Sequence, residues 1–76
     1  MKELVEALAR GLVKEPARVL VTEWTEGEVT HFDLEVAAAD RGRVIGRGGR
    51  TADALRTLLE AAARRRGIEC DLEILD

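Results

Sequence analysis

The chain has 76 residues, of which 46% are hydrophobic and 36% are charged, and its formal net charge is −3 at pH 7. This length predicts a single domain over residues 1–76, and the hydrophobic content is sufficient for a packed core, which argues against disorder. One cysteine and one histidine exclude an internal disulfide and provide no cluster of metal ligands, so we expect no metal and no other cofactor. No segment resembles a signal peptide or a membrane span, and we therefore expect a cytoplasmic protein without membrane contact.

The first half of the chain predicts a helix followed by a β-hairpin. Apolar residues recur at helical spacing between residues 2 and 14, so this segment is expected to form an amphipathic helix that Pro16 ends. Two runs rich in β-branched residues follow at residues 18–25 and 29–36, and the short link between them contains a glycine, as in a hairpin. The hairpin residues expected to face the core are Val19, Val21, Phe32, Leu34 and Val36.

The second half predicts two helices and a final strand. Asp40 is expected to cap a short helix that ends at Gly46, and a longer helix is expected between Gly49 and Gly67. The last segment, residues 68–75, alternates between apolar and acidic residues, as a half-buried strand does. Its expected core-facing residues are Ile68, Cys70, Leu72 and Ile74.

The predicted order of elements is helix, strand, strand, short helix, long helix, strand. Because the last strand returns to the same sheet through helices, we expect a right-handed crossover with all three helices on one face of a three-stranded sheet. The expected fold class is therefore α+β with two layers. The other face of the sheet should be acidic and solvated. The residues expected on it are His31, Asp33, Glu35, Glu69, Asp71 and Glu73.

Positive charge is concentrated in one part of the chain. Residues 41–66 hold eight arginines and two acidic residues, whereas the rest of the chain holds four basic and thirteen acidic residues. A local positive surface can attract an anionic partner although the net charge is negative. We interpret the three arginines at 64–66 as a solvated helix end that complements the helix dipole. The arginines between residues 41 and 50 lie among glycines and indicate an anion-binding site.

The sequence Gly46-Arg47-Gly48-Gly49 joins the two predicted helices of the second half. Free N–H groups at a helix N-terminus bind anions, and glycine lets a phosphate approach the backbone. A dinucleotide-binding loop is disfavoured, because Thr51 stands in place of the third glycine and a helix rather than a strand precedes the loop. A Walker loop is excluded by the absence of its Gly-Lys-Ser/Thr ending. The remaining candidate is the Gly-x-x-Gly loop of a nucleic-acid clamp.

The ten residues from Gly42 to Thr51, GRVIGRGGRT, resemble the Val/Ile-Ile-Gly-x-x-Gly signature of KH domains. The predicted order of elements resembles the type II arrangement of that fold, which is the prokaryotic one. The resemblance extends over the whole chain. The N-terminal helix, the proline before the first strand and the spacing from Pro16 to Gly46 are similar to those of the small bacterial KH-domain RNA-binding proteins of the KhpA family.

This resemblance implies a protein that binds about four nucleotides of single-stranded RNA and acts as an RNA chaperone or post-transcriptional regulator. It also implies a homodimer, or a heterodimer with a larger KH-containing protein. The residues implied in RNA binding are the loop (Gly46, Arg47, Gly48 and Gly49), an apolar groove floor (Val44 and Ile45) and two flanking arginines (Arg43 and Arg50). One departure is Gly48, which stands where such proteins often have a lysine and so removes one positive charge.

Catalysis is not expected, because the chain has no serine and no paired carboxylates in an evident cleft. The alternative function is a protein-interaction or assembly module that keeps the KH fold and binds RNA weakly or not at all. Gly48 in place of a basic residue favours this alternative, and Leu20 and Trp24 on the outer sheet face would supply its surface. The arginines around the loop favour RNA binding instead.

Overall fold

A computed structural model describes the fold of residues 1–76. The helices and strands follow the predicted order. They are α1 (Lys2–Leu12), β1 (Leu20–Glu26), β2 (Val29–Glu35), α2 (Arg41–Ile45), α3 (Arg50–Arg65) and β3 (Glu69–Ile74). Short 3₁₀ turns precede β1, α2 and α3, at Pro16–Arg18, Ala38–Asp40 and Arg47–Gly49. None of the helices combines the length and the apolar character that crossing a bilayer requires.

Strand β2 lies at the centre of a three-stranded sheet. It runs antiparallel to β1, with His31 opposite Trp24, and parallel to β3, with His31 opposite Asp71. Because β2 and β3 run in the same direction, the chain has to cross from the end of one to the start of the other, and α2 and α3 form that crossover. Helix α1 packs into the same core. The predicted α+β fold is therefore confirmed.

The core lies between the helices and one face of the sheet. Phe32 and Leu34 in the central strand are completely buried, and Val19 and Val21 are buried beside them. The prediction that these two valines face the core is confirmed. Burial of each of the larger apolar side chains stabilises the folded state by about 1.5–3 kcal/mol. The buried apolar cluster consists of Val5, Ala9, Val19, Val21, Phe32, Leu34, Val36, Val44, Leu55, Leu59 and Leu72.

The last strand buries less apolar surface than its alternation predicts. Leu72 is buried, and the apolar residues two positions away on either side are half-buried. Ile68 lies before the strand and is 37% exposed, so the prediction that it faces the core is wrong. The reason is the end of α3, where Gly67 adopts a φ of 71° and the N–H of Ile68 donates to the carbonyl of Ala63 at 3.0 Å. Ile68 therefore belongs to the C-terminal cap of the helix.

The outer face of the sheet is open to solvent and acidic, as predicted. One row across it consists of Trp24, His31 and Asp71. The rings of Trp24 and His31 stack with their centroids 5.2 Å apart, and Nδ1 of His31 lies 2.7 Å from Oδ1 of Asp71. These contacts leave His31 half-buried, whereas Trp24 and Leu20 remain exposed.

Asp40 connects the segment after α1 to the start of α2. Its side chain is buried, and its two carboxylate oxygens accept the N–H groups of Lys14 and Glu15, each at 3.1 Å. It forms no side-chain hydrogen bond with the N-terminus of α2, so the prediction that it caps this helix is wrong. Helix α1 ends at Leu12, two residues earlier than predicted. The N–H groups of Lys14 and Glu15 therefore lie beyond the helix, and the Asp40 carboxylate accepts both of them.

Replacing Asp40 by alanine should lower the free energy of unfolding by about 2–3 kcal/mol, because hydrogen bonds to a buried charged group are lost. Asp40→Asn is the isosteric comparison and should cost less, since its amide oxygen still accepts one N–H group. Denaturant unfolding followed by circular dichroism measures both variants. An Asp40→Ala protein with the parental unfolding midpoint would contradict this role.

Candidate nucleic-acid interface

Helix α2 ends at Gly46 in a backbone conformation that is essentially restricted to glycine. Its φ of 76° and ψ of 169° lie outside the regions that other residues occupy. A Cβ atom at this position would overlap the Thr51 side chain and would lie 2.8 Å from the Thr51 nitrogen. The absence of a side chain at Gly46 therefore allows the end of α2 to contact the first turn of α3.

The tip of the loop is formed by two glycines in the left-handed conformation. Gly48 has φ 64° and ψ 17°, and Gly49 has φ 80° and ψ 10°. The N–H of Gly49 donates to the carbonyl of Gly46 at 3.1 Å, which closes the turn. A Cβ atom at Gly48 or Gly49 would have no atom within 4 Å beyond its immediate chain neighbours. The tip is therefore open, and no side chain hinders a ligand that approaches its backbone.

Helix α3 starts at this loop, and no side chain caps its N-terminus. The helix is 16 residues long, so the N–H groups of its first turn carry the positive end of a substantial helix dipole. Arg47 and Arg50 are exposed beside them, and neither forms an ion pair with a carboxylate. Main-chain donors and unpaired positive side chains therefore converge on one place, which suits a phosphate group.

The three expected site residues of α2 differ in exposure. Arg43 is exposed, and its Nε lies 3.6 Å from Oδ1 of Asp40. Ile45 is 37% exposed next to Gly46. Val44 is completely buried in the core, so it offers no surface to a base in this structure and anchors α2 instead. Of the two residues expected in the groove floor, Ile45 is the accessible one.

Arg56 lies beside β3 and was not among the site residues expected from the sequence. Its Nε donates to the carbonyl of Leu72 at 3.2 Å, and its Nη1 lies 3.5 Å from Oδ1 of Asp53. Together with Leu59 and Cys70, it lines a shallow groove between α3 and β3. The position of Arg56 depends on how α3 packs along the edge of the sheet, and no local sequence pattern indicates that.

The chemistry of this region is that of a binding site. Burial raises the pKa of the Cys70 thiol, and the charges of Glu60 and Asp71 raise it further, so the thiol is protonated at neutral pH and is a weak nucleophile. No group of histidine, cysteine and acidic side chains is arranged to hold a metal ion. What the region presents is main-chain N–H donors and arginine side chains, which bind anions.

Two solved structures share this fold. One is Era from Aquifex aeolicus bound to GDP and aluminium fluoride, with a TM-score of 0.69 and 19% sequence identity. The other is Era in complex with MgGDPNP and nucleotides 1506–1542 of 16S ribosomal RNA, with a TM-score of 0.64 and 22% identity. Each match covers 96% of the present chain and 28% of the Era chain. This similarity shows that the present chain has the same fold as the matched part of Era.

The family described as the KH domain of KhpA and KhpB matches residues 2–74, which confirms the class of domain that the fold and the loop indicate. RNA-binding protein KhpA of Halalkalibacterium halodurans is 45% identical over 76 residues, covering all of both chains. The KhpA protein of Aquifex aeolicus is 47% identical over 77 residues, covering 100% of this chain and 96% of its own. The chain therefore belongs to the KhpA/KhpB family of KH-domain proteins, which also confirms the expectation that it is not an enzyme.

Replacing Gly46 by alanine should destabilise the domain by about 3 kcal/mol, because the new Cβ atom meets the Thr51 backbone in a conformation that disfavours any side chain. Gly48→Ala is the matched control. It adds the same methyl group at a positive φ but in open space, and should cost about 1 kcal/mol. Denaturant unfolding compares the two variants. Equal losses would mean that the close contact with Thr51 is unimportant.

Proposed function

We propose that this protein binds single-stranded RNA, with the loop of residues 46–49 holding the backbone of about four nucleotides. The observation that carries the proposal is the uncapped N-terminus of α3, which opens onto a glycine loop between the unpaired Arg47 and Arg50. The names of the KhpA relatives describe RNA-binding proteins, and this supports the same assignment here.

Each part of the site has a role in this proposal. A phosphate of the RNA accepts N–H groups of the loop and of the first turn of α3, where Gly48 and Gly49 leave the backbone accessible. Arg47 and Arg50 add charge at its rim. Arg43 lies on α2, which precedes the loop, and the exposed part of Ile45 gives an apolar contact for a base. Val44 contributes indirectly, by fixing α2 to the core.

A single clamp of this size binds weakly, and the glycine at position 48 supplies no charge. Two clamps in one assembly raise the effective concentration of the second site. We therefore include in the proposal a homodimer, or a heterodimer with a larger KH-containing protein. The apolar groove between α1 and α3 supports it, since Leu12 and Leu58 are exposed there. The cellular role proposed with it is that of a cytoplasmic RNA chaperone or post-transcriptional regulator.

The second candidate function is a protein-interaction module with weak or vestigial RNA binding. It is favoured by the outer face of the sheet, where Leu20 is 57% exposed and Trp24 is 42% exposed. Both side chains lie on the same face of β1, with Thr22 between them, and exposed aromatic side chains are enriched at protein interfaces. The two candidates differ in which face of the domain binds the partner, so changes in the loop distinguish them.

Replacing Arg47 and Gly48 together by aspartate should abolish binding of single-stranded RNA. Two carboxylates would then face the phosphate, and at an effective dielectric constant near 20 each such contact opposes binding by about 1 kcal/mol or more. Fluorescence anisotropy with a labelled single-stranded oligomer measures the loss.

The matched control is Arg47→Gln with Gly48→Asn, which has side chains of similar size at the same backbone positions but no negative charge. Asparagine and aspartate both tolerate the positive φ of Gly48, so the two double variants should melt at similar temperatures. The control should bind more weakly than the parent and much more tightly than the aspartate variant. If the aspartate variant folds and binds RNA with parental affinity, the loop is not the clamp and the interaction module becomes the better assignment.

Binding should weaken with salt and should favour single strands over duplex RNA. Each phosphate contacted on a single strand lowers the slope of log K against log salt by about 0.7, so two to four contacts predict a slope of roughly −1.5 to −3. A titration at several salt concentrations gives this slope. Salt-independent binding, or equal affinity for duplex RNA, would contradict a phosphate clamp.

A further inference from the structure

The outer face of the sheet carries negative charge and no lysine or arginine. Its acidic residues are Glu26, Asp33, Glu35, Glu69, Asp71 and Glu73. Two of them lie near His31, and the others form no ion pair. Asp33 and Glu73 are register partners on neighbouring strands, where like charges destabilise a sheet. Neutral polar side chains would be solvated there equally well, so the negative charge is not a requirement of the fold.

An aromatic side chain is held in place on this acidic face. Trp24 stacks on His31 with the ring centroids 5.2 Å apart and the planes inclined by 23°, and Nδ1 of His31 lies 2.7 Å from Oδ1 of Asp71. The hydrogen bond fixes the imidazole, and the imidazole supports the indole, so the position of the indole is set before any partner binds. Stacking occupies one face of the indole. Because β1 is an edge strand, no neighbouring strand covers the other face, and Trp24 is 42% exposed.

The chemistry of this surface selects a cationic partner. The face of an indole attracts cations, and the surrounding carboxylates add to that attraction. A guanidinium group can both stack on the indole and form paired hydrogen bonds with a carboxylate, whereas an ammonium group does not stack as a plane. Leu20, on the same face of β1 and 57% exposed, adds an apolar contact about 13 Å from Trp24. Nucleic acids and anionic lipids are repelled by the same charges.

The size of the face indicates a short segment of protein as its occupant. Three strands of six or seven residues give a surface of about 20 by 14 Å, or about 300 Å². A stable interface between folded proteins buries about 800 Å² on each partner. The outer face is therefore too small to hold a second copy of this chain or another folded domain by itself, but it matches an extended peptide.

We propose that the outer face of the sheet binds a short arginine-rich segment of a partner protein. One guanidinium group stacks on the free face of Trp24, and further arginines pair with carboxylates such as those of Glu35 and Glu73. Leu20 packs against the aliphatic part of an arginine side chain. The helices cover the opposite face of the sheet, so this surface is separate from the loop at residues 46–49. The proposal therefore does not depend on RNA binding by the loop.

The probes are two labelled peptides of eight residues, one alternating arginine with alanine and the other alternating lysine with alanine. In an extended peptide alternate side chains point to the same side, so all cations can face the sheet. Trp24 is the only tryptophan of the chain, and its fluorescence therefore reports binding at this face directly. The parent should bind the arginine peptide about threefold more tightly than the lysine peptide at low salt, with a change in Trp24 emission.

Trp24→Leu keeps an apolar side chain but removes the aromatic face. Followed by anisotropy of the label, it should bind the arginine peptide about threefold more weakly than the parent and should not distinguish it from the lysine peptide. This loss of selectivity is specific to stacking, because a change in charge or in stability would affect both peptides alike.

The contribution of the carboxylates is measured with two double variants that lose the same charge. Glu35→Gln with Glu73→Gln removes two carboxylates from the outer face and should weaken binding of the arginine peptide by about fivefold at low salt. Glu15→Gln with Glu23→Gln is the matched control, since Glu15 lies before the sheet and the Glu23 side chain alternates to the opposite face from Trp24. The control should bind within twofold of the parent.

Three results would overturn the proposal. The first is a parent that binds neither peptide, or that binds them without a change in Trp24 emission. The second is an equal loss in the two double variants, which would mean non-specific attraction by the net charge. The third is another occupant of the face, shown either by a dimer in sedimentation that Trp24→Leu dissociates or by quenching of Trp24 with single-stranded RNA.

Discussion

The contact between Gly46 and the first turn of α3 is the constraint on which the geometry of the loop depends. Because Gly46 has no side chain, α2 can end against Thr51, and the turn at Arg47–Gly49 fits between the two helices. Two other interactions hold α2 in place: Val44 is buried in the core, and the carboxylate of Asp40 ties the start of the helix to the segment after α1. The N-terminus of α3 is thereby fixed in position, and no side chain caps it.

The two faces of the domain carry charges of opposite sign. Eight of the ten arginines lie on and around α2 and α3, whereas the open face of the sheet is acidic. An anionic strand is therefore attracted to the helical side and repelled from the sheet, which orients the encounter although the net charge is −3. The stacked pair of Trp24 and His31 lies on the acidic face, where a nucleic acid is disfavoured. This separation is why RNA binding and protein interaction would use different surfaces.

Much of this arrangement follows from local sequence patterns. The 3.6-residue and two-residue periodicities predicted the helices and the core faces of β1 and β2, and the glycines predicted where α2 and α3 end. The errors concern residues whose environment is set by distant parts of the chain. Asp40 satisfies donors about 25 residues away, and Arg56 meets a carbonyl of the last strand. Ile68 is the exception, because its contact is local: it fitted the alternation of β3, but its N–H donates to Ala63 in the C-terminal cap of α3. The full burial of Val44 likewise depends on tertiary packing, which periodicity in a five-residue helix does not reveal.

The most direct measurement of the central claim is an NMR titration of ¹⁵N-labelled protein with a short single-stranded RNA. The account predicts that the largest amide shift changes occur between residues 43 and 51, around the loop and the start of α3. It predicts that the signals of the Trp24 indole N–H and of the amides on the outer sheet face shift no more than they do when a free nucleotide is added. Shift changes centred on Trp24 and His31, with the loop amides unaffected, would contradict the account.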